Sequence, residues 1–206
     1  MFTGIIENLA QVVAVTPDGT NVHLDLTCEV ANQFKIDQSV AHDGCCLTVV
    51  AMGQTEEGKP QYRVTAIQET LNKTSLGGWA PGREVNIERC MESGGRLDGH
   101  IVQGHVDCVG HVTGIEDLDG SFAISIEHPT DDSTWMTVPK GSITINGTSL
   151  TVVDSAPGSF SVHIIPYTWE HTNFHGFQIG DAVNLEFDII GKYVARMMAA
   201  FQGQSQ

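Results

Sequence analysis

Basic residues are scarce in this chain of 206 residues, which has 10 lysines and arginines against 25 aspartates and glutamates. The formal net charge of −15 at pH 7 would repel a phosphate backbone, and no local cluster of basic residues offsets it. The sequence therefore argues against nucleic-acid binding. No run reaches the roughly 18 consecutive apolar residues that a membrane-spanning helix needs, so no membrane insertion is expected.

Targeting and metal-binding motifs are also missing. The opening residues, MFTGIIE, have neither the basic start nor the long apolar stretch of a secretory signal peptide. The five cysteines are an odd number, and Cys45 and Cys46 lack the C-x-x-C spacing of a zinc or redox site. We therefore expect reduced thiols and a cytoplasmic location.

Three blocks of sequence occur twice, in the same order. SVAHDGCCLTVV from Ser39 matches SITINGTSLTVV from Ser142, and the two share the opening Ser, the Gly and the ending LTVV. The other two pairs are GIIENLAQVV from Gly4 with GHVDCVGHVT from Gly104, and TLNKTSLGGWAPGREVNIE from Thr70 with TWEHTNFHGFQIGDAVNLE from Thr168. Three collinear matches indicate an internal duplication.

Both halves contain short segments of alternating or β-branched residues that are bounded by turn residues. NVHLDLT, QYRVTAI, SFAISIE and SFSVHII are predicted to be strands. Several such strands in about 90 residues favour a small antiparallel barrel or sandwich. The clearest helical pattern is GKYVARMMAAFQ near the end, where Tyr193, Val194, Met197 and Met198 fall on one broad apolar face. This helix either docks on its own domain or packs against another subunit.

Six motifs carry a resemblance to a known family. MFTGIIE, VAHDGCCLTV, ETLNKTSLG, GHIVQGHVD, INGTSLTV and VNLEFDIIGKY together resemble the riboflavin synthases over essentially the whole chain. The resemblance implies an all-β fold of two similar six-stranded antiparallel Greek-key barrels, residues 1–97 and 98–189. It also implies a C-terminal helix within 190–206 that holds a homotrimer together, and neither a metal nor a cofactor. In the first copy Asp43 stands where the family often has Asn.

The same resemblance implies a specific reaction, the last step of riboflavin biosynthesis. Two molecules of 6,7-dimethyl-8-ribityllumazine react, and one gives a four-carbon unit to the other, which yields riboflavin and 5-amino-6-ribitylaminouracil. A reaction between two copies of one substrate needs two similar pockets that face each other, and a duplicated domain supplies them. In the family each site lies between two subunits. A lumazine synthase is a further candidate partner.

Two other functions compete with this interpretation. A non-catalytic lumazine or flavin carrier of the antenna type would use the same duplicated fold, although such relatives usually degrade one copy of the pocket motif. A flavin-dependent reductase domain would need a glycine-rich phosphate-binding motif between a strand and a helix, and the sequence has none.

Positions where the two copies differ are informative, because one substrate molecule must donate and the other must accept. By resemblance, the candidate catalytic residues are Cys46, His105, Lys140, Ser149, Asp188 and Ser39, and the counterparts of the first five are Ser149, Ile5, Asp37, Cys46 and Cys90. A packed cysteine, a solvated turn lysine and a strand-end aspartate are the simpler alternatives. His100 and His105 would point to opposite faces of one strand, which argues against a shared metal.

Strand alternation also predicts which groups face a ligand. Cys46 and Thr48 should share one face, with Cys45 on the other. Strand backbone would complement the imide edge of the ring, with 4–6 and 65–67 in the first pocket and 104–106 and 163–165 in the second. Together with the family resemblance, which supplies Phe2 and Lys140 among others, these patterns imply the substrate-binding residues Phe2, Gly4, Ile5, Ile6, Cys46, Leu47, Thr48, Thr65, Ala66, Ile67, Gln68, Glu69, Thr70, Gly104, His105, Val106, Lys140, Ser149, Leu150, Thr151, His163, Ile164, Ile165, Pro166, Tyr167 and Thr168.

Overall fold

Short alternating segments give the chain its strands. The computed structural model describes residues 1–203. The strands are β1 (Asn8–Asp18), β2 (Asn21–Thr27), β3 (Ser39–His42), β4 (Cys45–Gln54), β5 (Pro60–Ala66), β6 (Glu84–Arg89), β7 (Cys108–Asp117), β8 (Phe122–Glu127), β9 (Ser142–Ile145), β10 (Thr148–Ala156), β11 (Ser159–Ile164) and β12 (Ala182–Phe187). The α-helices are α1 (Gln68–Lys73), α2 (Pro166–His171) and α3 (Ile189–Gly203).

The strands close into two antiparallel barrels with the same topology. The first barrel has the order β1-β2-β5-β4-β3-β6, and the second has the order β7-β8-β11-β10-β9-β12. Each barrel is filled by its own apolar side chains, such as Val49 and Ile87 in the first and Val152 and Leu185 in the second. Side chains fill the interior of a barrel of this size, so the ligand sites must lie outside it. The predicted duplicated fold is confirmed.

The barrels are joined by two extended segments that run before β1 and β7. We call residues 2–6 strap 1 and residues 102–106 strap 2. Phe2 and Val102 form an antiparallel bridge, in which the Phe2 amide donates to the Val102 carbonyl at 2.7 Å and the Val102 amide donates back at 3.2 Å. Both side chains are fully buried. The two straps therefore meet at a local two-fold axis between the repeats.

Two equivalent glycine turns meet close to the same axis. A Cβ atom on Gly44 would lie 2.7 Å from the amide nitrogen of Gly147, and one on Gly147 would lie 2.8 Å from that of Gly44. Asn86 and Asn184 add polar links, because the Asn86 amide group donates to the Asn146 carbonyl and the Asn184 amide group donates to the Asp43 carbonyl, both at 2.9 Å. Close backbone contact and a buried polar network fix the barrels against each other.

The C-terminal helix agrees with the predicted pattern, apart from its start at Ile189; residues 204–206 of the predicted segment lie outside the described residues. Asp188 accepts from the Ile190 amide at 3.0 Å and so begins the helix, and Lys192 forms an ion pair with Asp107 at 2.6 Å. The apolar residues of the helix are exposed: Ile190, Tyr193, Val194, Met197, Met198 and Phe201. Across residues 1–203, no helix has the length and apolar character needed to span a membrane.

Candidate functional site

Each strap lies against a strand of the opposite barrel. The Ser149 amide in β10 donates to the Gly4 carbonyl of strap 1 at 2.8 Å, and the Cys46 amide in β4 donates to the Gly104 carbonyl of strap 2 at 2.8 Å. Gly4 has φ +79° and Gly104 has φ +80°. Both positions need glycine, because an added Cβ would lie 2.5 Å from the Ser149 Cβ or 2.6 Å from the Cys46 Cβ.

This crossing corrects the predicted grouping of backbone segments. Val49 lies opposite Val64 in the β4–β5 ladder, and this register sets Ile67 level with Cys46. Cys46 thus pairs with Ala41 of β3 on one side and bonds to strap 2 on the other, the side on which β5 lies. Residues 65–67 therefore belong with 104–106, and by the equivalent register of Val152 with Val162, residues 163–165 belong with 4–6. The sequence had instead grouped each strap with the strand end of its own half of the chain.

Cys46 faces outward from the first barrel. Its side chain is partly exposed, Thr48 is exposed on the same face, and Cys45 is buried in the core, as alternation predicted. Burial raises the pKa of the Cys46 thiol, and a hydrogen bond with Ser39 offsets this in part. Cys46 is therefore a protonated thiol at neutral pH, suited to polar contact with a ligand and not to attack as a thiolate.

Ser149, the counterpart of Cys46, has a partner that the sequence did not indicate. His100 Nδ1 lies 2.6 Å from Ser149 Oγ, and His100 Nε2 lies 3.2 Å from Thr144 Oγ1. Burial lowers the pKa of His100, although the nearby Asp188 carboxylate acts against it. The imidazole is therefore neutral at pH 7, and it can exchange a proton with the Ser149 hydroxyl.

The sequence argued only against a metal shared by His100 and His105 on one strand, and it gave His100 no other role. Residues 100–106 instead form strap 2 and its approach, with a single bridge at Val102. In the first barrel Ala41 stands where the second has Thr144, since Ala41 lies opposite Cys46 and Thr144 lies opposite Ser149. The two outward faces thus differ more than the Cys46 and Ser149 pair suggested.

The other predicted catalytic residues lie around these faces. His105 is exposed on strap 2, and its Nδ1 lies 3.1 Å from Gln103 Oε1. Lys140 is exposed in a turn at φ +68°, and Asp37 occupies the equivalent turn at φ +69°. The amide of each donates at 2.9 Å to a carbonyl, that of Val152 for Lys140 and that of Val49 for Asp37. The predicted pairing of these oppositely charged residues is confirmed as a pairing of equivalent turns.

A cavity of about 770 Å³ lies beside the first barrel, within the range of small-molecule sites. It brings together Ile5, Asp37 and Cys90, the counterparts of His105, Lys140 and Asp188. The remaining lining residues are Thr3, Glu7, Gln33, Lys35, Ile36, Gln38, Glu88, Arg89, Met91, Glu92, Gly95 and Arg96. Three of these are basic, in a chain with few basic residues.

The remaining predicted contact residues divide by exposure. Leu47, Ala66 and Ile164 are buried in the barrel cores, so a ligand could meet only their backbone. The segments 68–70 and 166–168 form the first turns of α1 and α2. Their side chains are exposed or partly exposed and stand directly beyond the ends of β5 and β11.

Comparisons with known proteins agree with this duplicated architecture. A family model for the lumazine binding domain matches residues 3–90 and 103–188. Riboflavin synthase of Actinobacillus pleuropneumoniae is 37% identical over 199 residues, which covers 96% of this chain and 90% of that protein. Riboflavin synthase of Bacillus subtilis is 38% identical over 200 residues, with coverage of 96% and 90%. That of Mycobacterium tuberculosis is 38% identical over 205 residues, with coverage of 96% and 98%.

Solved structures show the same fold at lower identity. LumP complexed with 6,7-dimethyl-8-(1'-D-ribityl) lumazine has a TM-score of 0.78 at 21% identity, and covers 91% of this chain and 99% of that one. LumP complexed with riboflavin has a TM-score of 0.79 at 21% identity, with coverage of 90% and 98%. With two lumazine binding domains and relatives of this identity along nearly its whole length, the chain belongs to the riboflavin synthase family.

Proposed function

We propose that this protein is a riboflavin synthase. It transfers a four-carbon unit between two molecules of 6,7-dimethyl-8-ribityllumazine and releases riboflavin and 5-amino-6-ribitylaminouracil. The main observation in support is that each repeat has an outward-facing strand residue, Cys46 or Ser149, whose backbone amide donates a hydrogen bond to a strap glycine. Two such faces supply two binding places for one kind of molecule, as the reaction requires.

The differences between the faces support different roles for the two substrate molecules. Neutral His100, at 2.6 Å from the Ser149 hydroxyl, moves protons in the second pocket. The Cys46 thiol and the Ser39 hydroxyl contact the ring in the first. Lys140 stabilises negative charge as it develops, and His105 relays protons at the rim. Holding both rings in near-attack geometry contributes roughly 7–11 kcal/mol of the lowered barrier.

The proposal includes a homotrimer in which the first barrel of one subunit meets the second barrel of the next. The exposed apolar face of α3 supports this, because isolated soluble chains rarely leave so many large apolar side chains on one helix uncovered. A site completed by a neighbour also explains why both ligand faces lie on the outside of their barrels.

Replacing Tyr193 and Met197 together by Asp is expected to give a folded monomer with at least about a hundredfold lower turnover, because one carboxylate at each position prevents burial of the helix face. Light scattering gives the mass and circular dichroism gives the fold. Arg196→Asp, also exposed on α3, is the matched control and should stay trimeric. If the double variant remained a trimer, α3 would not be what holds the subunits together.

Incubation of the purified protein with 6,7-dimethyl-8-ribityllumazine alone is the test of the activity. We expect riboflavin to appear, followed by its absorbance, with two substrate molecules consumed for each riboflavin released. Binding of the lumazine without any riboflavin would instead make the protein a carrier and would contradict the proposed reaction.

A further inference from the structure

Two buried carboxylates grip the straps at equivalent places. Glu88 in β6 is 4% exposed, and its Oε1 accepts from the Thr3 amide at 2.6 Å and from the Thr3 hydroxyl at 2.8 Å, while its Oε2 accepts from the Gly4 amide at 2.9 Å. Thr3 and Gly4 both belong to strap 1. Two of these donors are backbone amides and one is a hydroxyl, so the carboxylate binds neutral groups of strap 1 and not a cation.

Glu186 in β12 does the same for strap 2. It is 3% exposed, and its Oε1 accepts from the Gln103 amide at 2.7 Å. Its Oε2 accepts from the amides of Gly104 at 2.9 Å and His105 at 2.8 Å. Burial raises the pKa of both glutamates, and the hydrogen bonds from the straps oppose that rise. A buried carboxylate is unfavourable unless hydrogen bonds stabilise it, so these bonds must be kept.

The glycine held by each carboxylate is the one that contacts the opposite barrel. Gly4 donates its amide to Glu88 and accepts through its carbonyl from the Ser149 amide. Gly104 donates its amide to Glu186 and accepts through its carbonyl from the Cys46 amide. Two chains of hydrogen bonds therefore cross between the barrels, Glu88–Gly4–Ser149 and Glu186–Gly104–Cys46, and we call each of them a relay.

Steric contact makes each relay stiff. A Cβ on Gly104 would already lie 2.6 Å from the Cys46 Cβ and 2.8 Å from the Phe2 ring, so the strap fits its groove closely. A strap that shifts by a few tenths of an ångström must move the strand residue against which it lies.

We infer that Glu88 and Glu186 are positioning residues that each act on the pocket of the opposite barrel. Glu186 fixes the position of Cys46, and Glu88 fixes the positions of Ser149 and His100. The consequence for turnover rests on the proposed function. The positioning itself is a property of the folded chain and does not depend on which reaction the protein catalyses.

Glu186→Gln and Glu88→Gln test this, because an NH₂ group then faces a strap amide and one strap donor loses its acceptor. Two readouts need no substrate: the rate of Cys46 alkylation by iodoacetamide, quantified by peptide mass spectrometry, and the titration of His100 followed by NMR. We expect Glu186→Gln to raise Cys46 alkylation about tenfold and to shift the His100 titration much less. Loss of the Glu186 charge by itself lowers the pKa of the Cys46 thiol, so the alkylation rates are compared per thiolate, from their pH profiles. We expect Glu88→Gln to do the reverse, and Glu127→Gln, at an exposed position of β8, to change neither.

The crossed pattern is what a purely structural role would not produce. Equal changes of both readouts in each variant, or a change only in the barrel that carries the substitution, would overturn the inference. If a Glu→Gln variant does not fold, Thr3→Val is the milder test, because it removes one of the bonds to Glu88. It should shift the His100 titration and leave Cys46 alkylation at the wild-type rate; the opposite result would refute the relay.

Turnover separates this inference from the proposed function. If the crossed pattern is found and wild-type protein makes riboflavin, both glutamate variants should lose about ten- to a hundredfold in kcat with smaller changes in KM, since positioning of the reacting groups is impaired. If the pattern is found in a protein without turnover, the positioning stands and the reaction is refuted.

Discussion

Gly104→Ala is expected to lower turnover by about two orders of magnitude, because a misplacement of about 1 Å at a reacting group has an effect of this size. The new methyl group would lie 2.6 Å from the Cys46 Cβ and 2.8 Å from Phe2 Cε2, distances that Cβ atoms do not adopt. Strap 2 must therefore move away from β4, and the carbonyl that holds the Cys46 amide moves with it. Steady-state kinetics with the lumazine substrate measures the effect.

Gly58→Ala is the matched control for Gly104→Ala. Gly58 has φ +79°, nearly the same as +80° at Gly104, but nothing lies within 4 Å of an added Cβ. Alanine at Gly58 therefore carries only the backbone strain, about 1 kcal/mol or slightly more, and should leave kcat unchanged. Equal kinetics for the two variants would mean that the contact between strap 2 and Cys46 has no part in the site.

Asp43→Asn is expected to raise the free energy of unfolding at pH 7.5 by about 1–2 kcal/mol. Asp43 is fully buried between the barrels, and burial raises its pKa to about 6 despite the nearby Arg83, whose Nη2 lies 3.5 Å from Oδ2. Because its unfolded value is 3.8, the ionised carboxylate opposes folding above that pH. A shift of this size corresponds to at most about 3 kcal/mol, and loss of the Arg83 pair reduces the gain.

The stabilisation by Asp43→Asn should depend on pH in a definite direction. A raised carboxyl pKa means that the folded state binds the proton more tightly, so the wild type gains stability from Asp43 as pH falls from about 6 to 3.8. The advantage of Asp43→Asn should therefore be full at pH 7.5 and vanish near pH 4. Burial lowers the pKa of the neighbouring His42 to about 4. Protonation of His42 therefore destabilises the folded protein as pH falls over nearly the same interval. The variant should consequently show the steeper loss in acid.

The second repeat offers the reciprocal substitution. Asn146 occupies the equivalent buried turn, with φ +44° like Asp43, and the position of Arg83 is taken there by Asp181. Asn146→Asp should therefore lower the free energy of unfolding at pH 7.5, because its carboxylate lacks the cation that Asp43 has. Urea unfolding followed from pH 4 to 8 measures both variants. A destabilised Asp43→Asn variant at pH 7.5 would mean that the Arg83 pair outweighs the cost of burying the charge.

The repeat and its strands could be predicted from the sequence because both depend on local pattern. The predicted strand NVHLDLT is β2 without any change of bounds, and alternation assigned Cys45 to the core and Cys46 to the outside. The helices α1 and α2 were not predicted, since six residues give too little periodicity for a helical pattern.

Contacts between the repeats could not be predicted in this way. No local pattern encodes which barrel receives a strap, so Gly4 was grouped with the strands of its own half although it lies against Ser149. His100 was missed for the same reason: its partners Ser149 and Thr144 are more than 40 residues away, at separations of 49 and 44 residues. Burial of Asp43 likewise arises only where two turns from different barrels meet.

A structure of the protein with riboflavin bound tests the central claim most directly, namely that each repeat carries a working site formed by one barrel and the strap of the other. We expect riboflavin in both places, one molecule against Gly4 and Ser149 and one against Gly104 and Cys46. The account would be contradicted if, at saturating concentration, riboflavin bound at only one of these two places and the strap closed off the other.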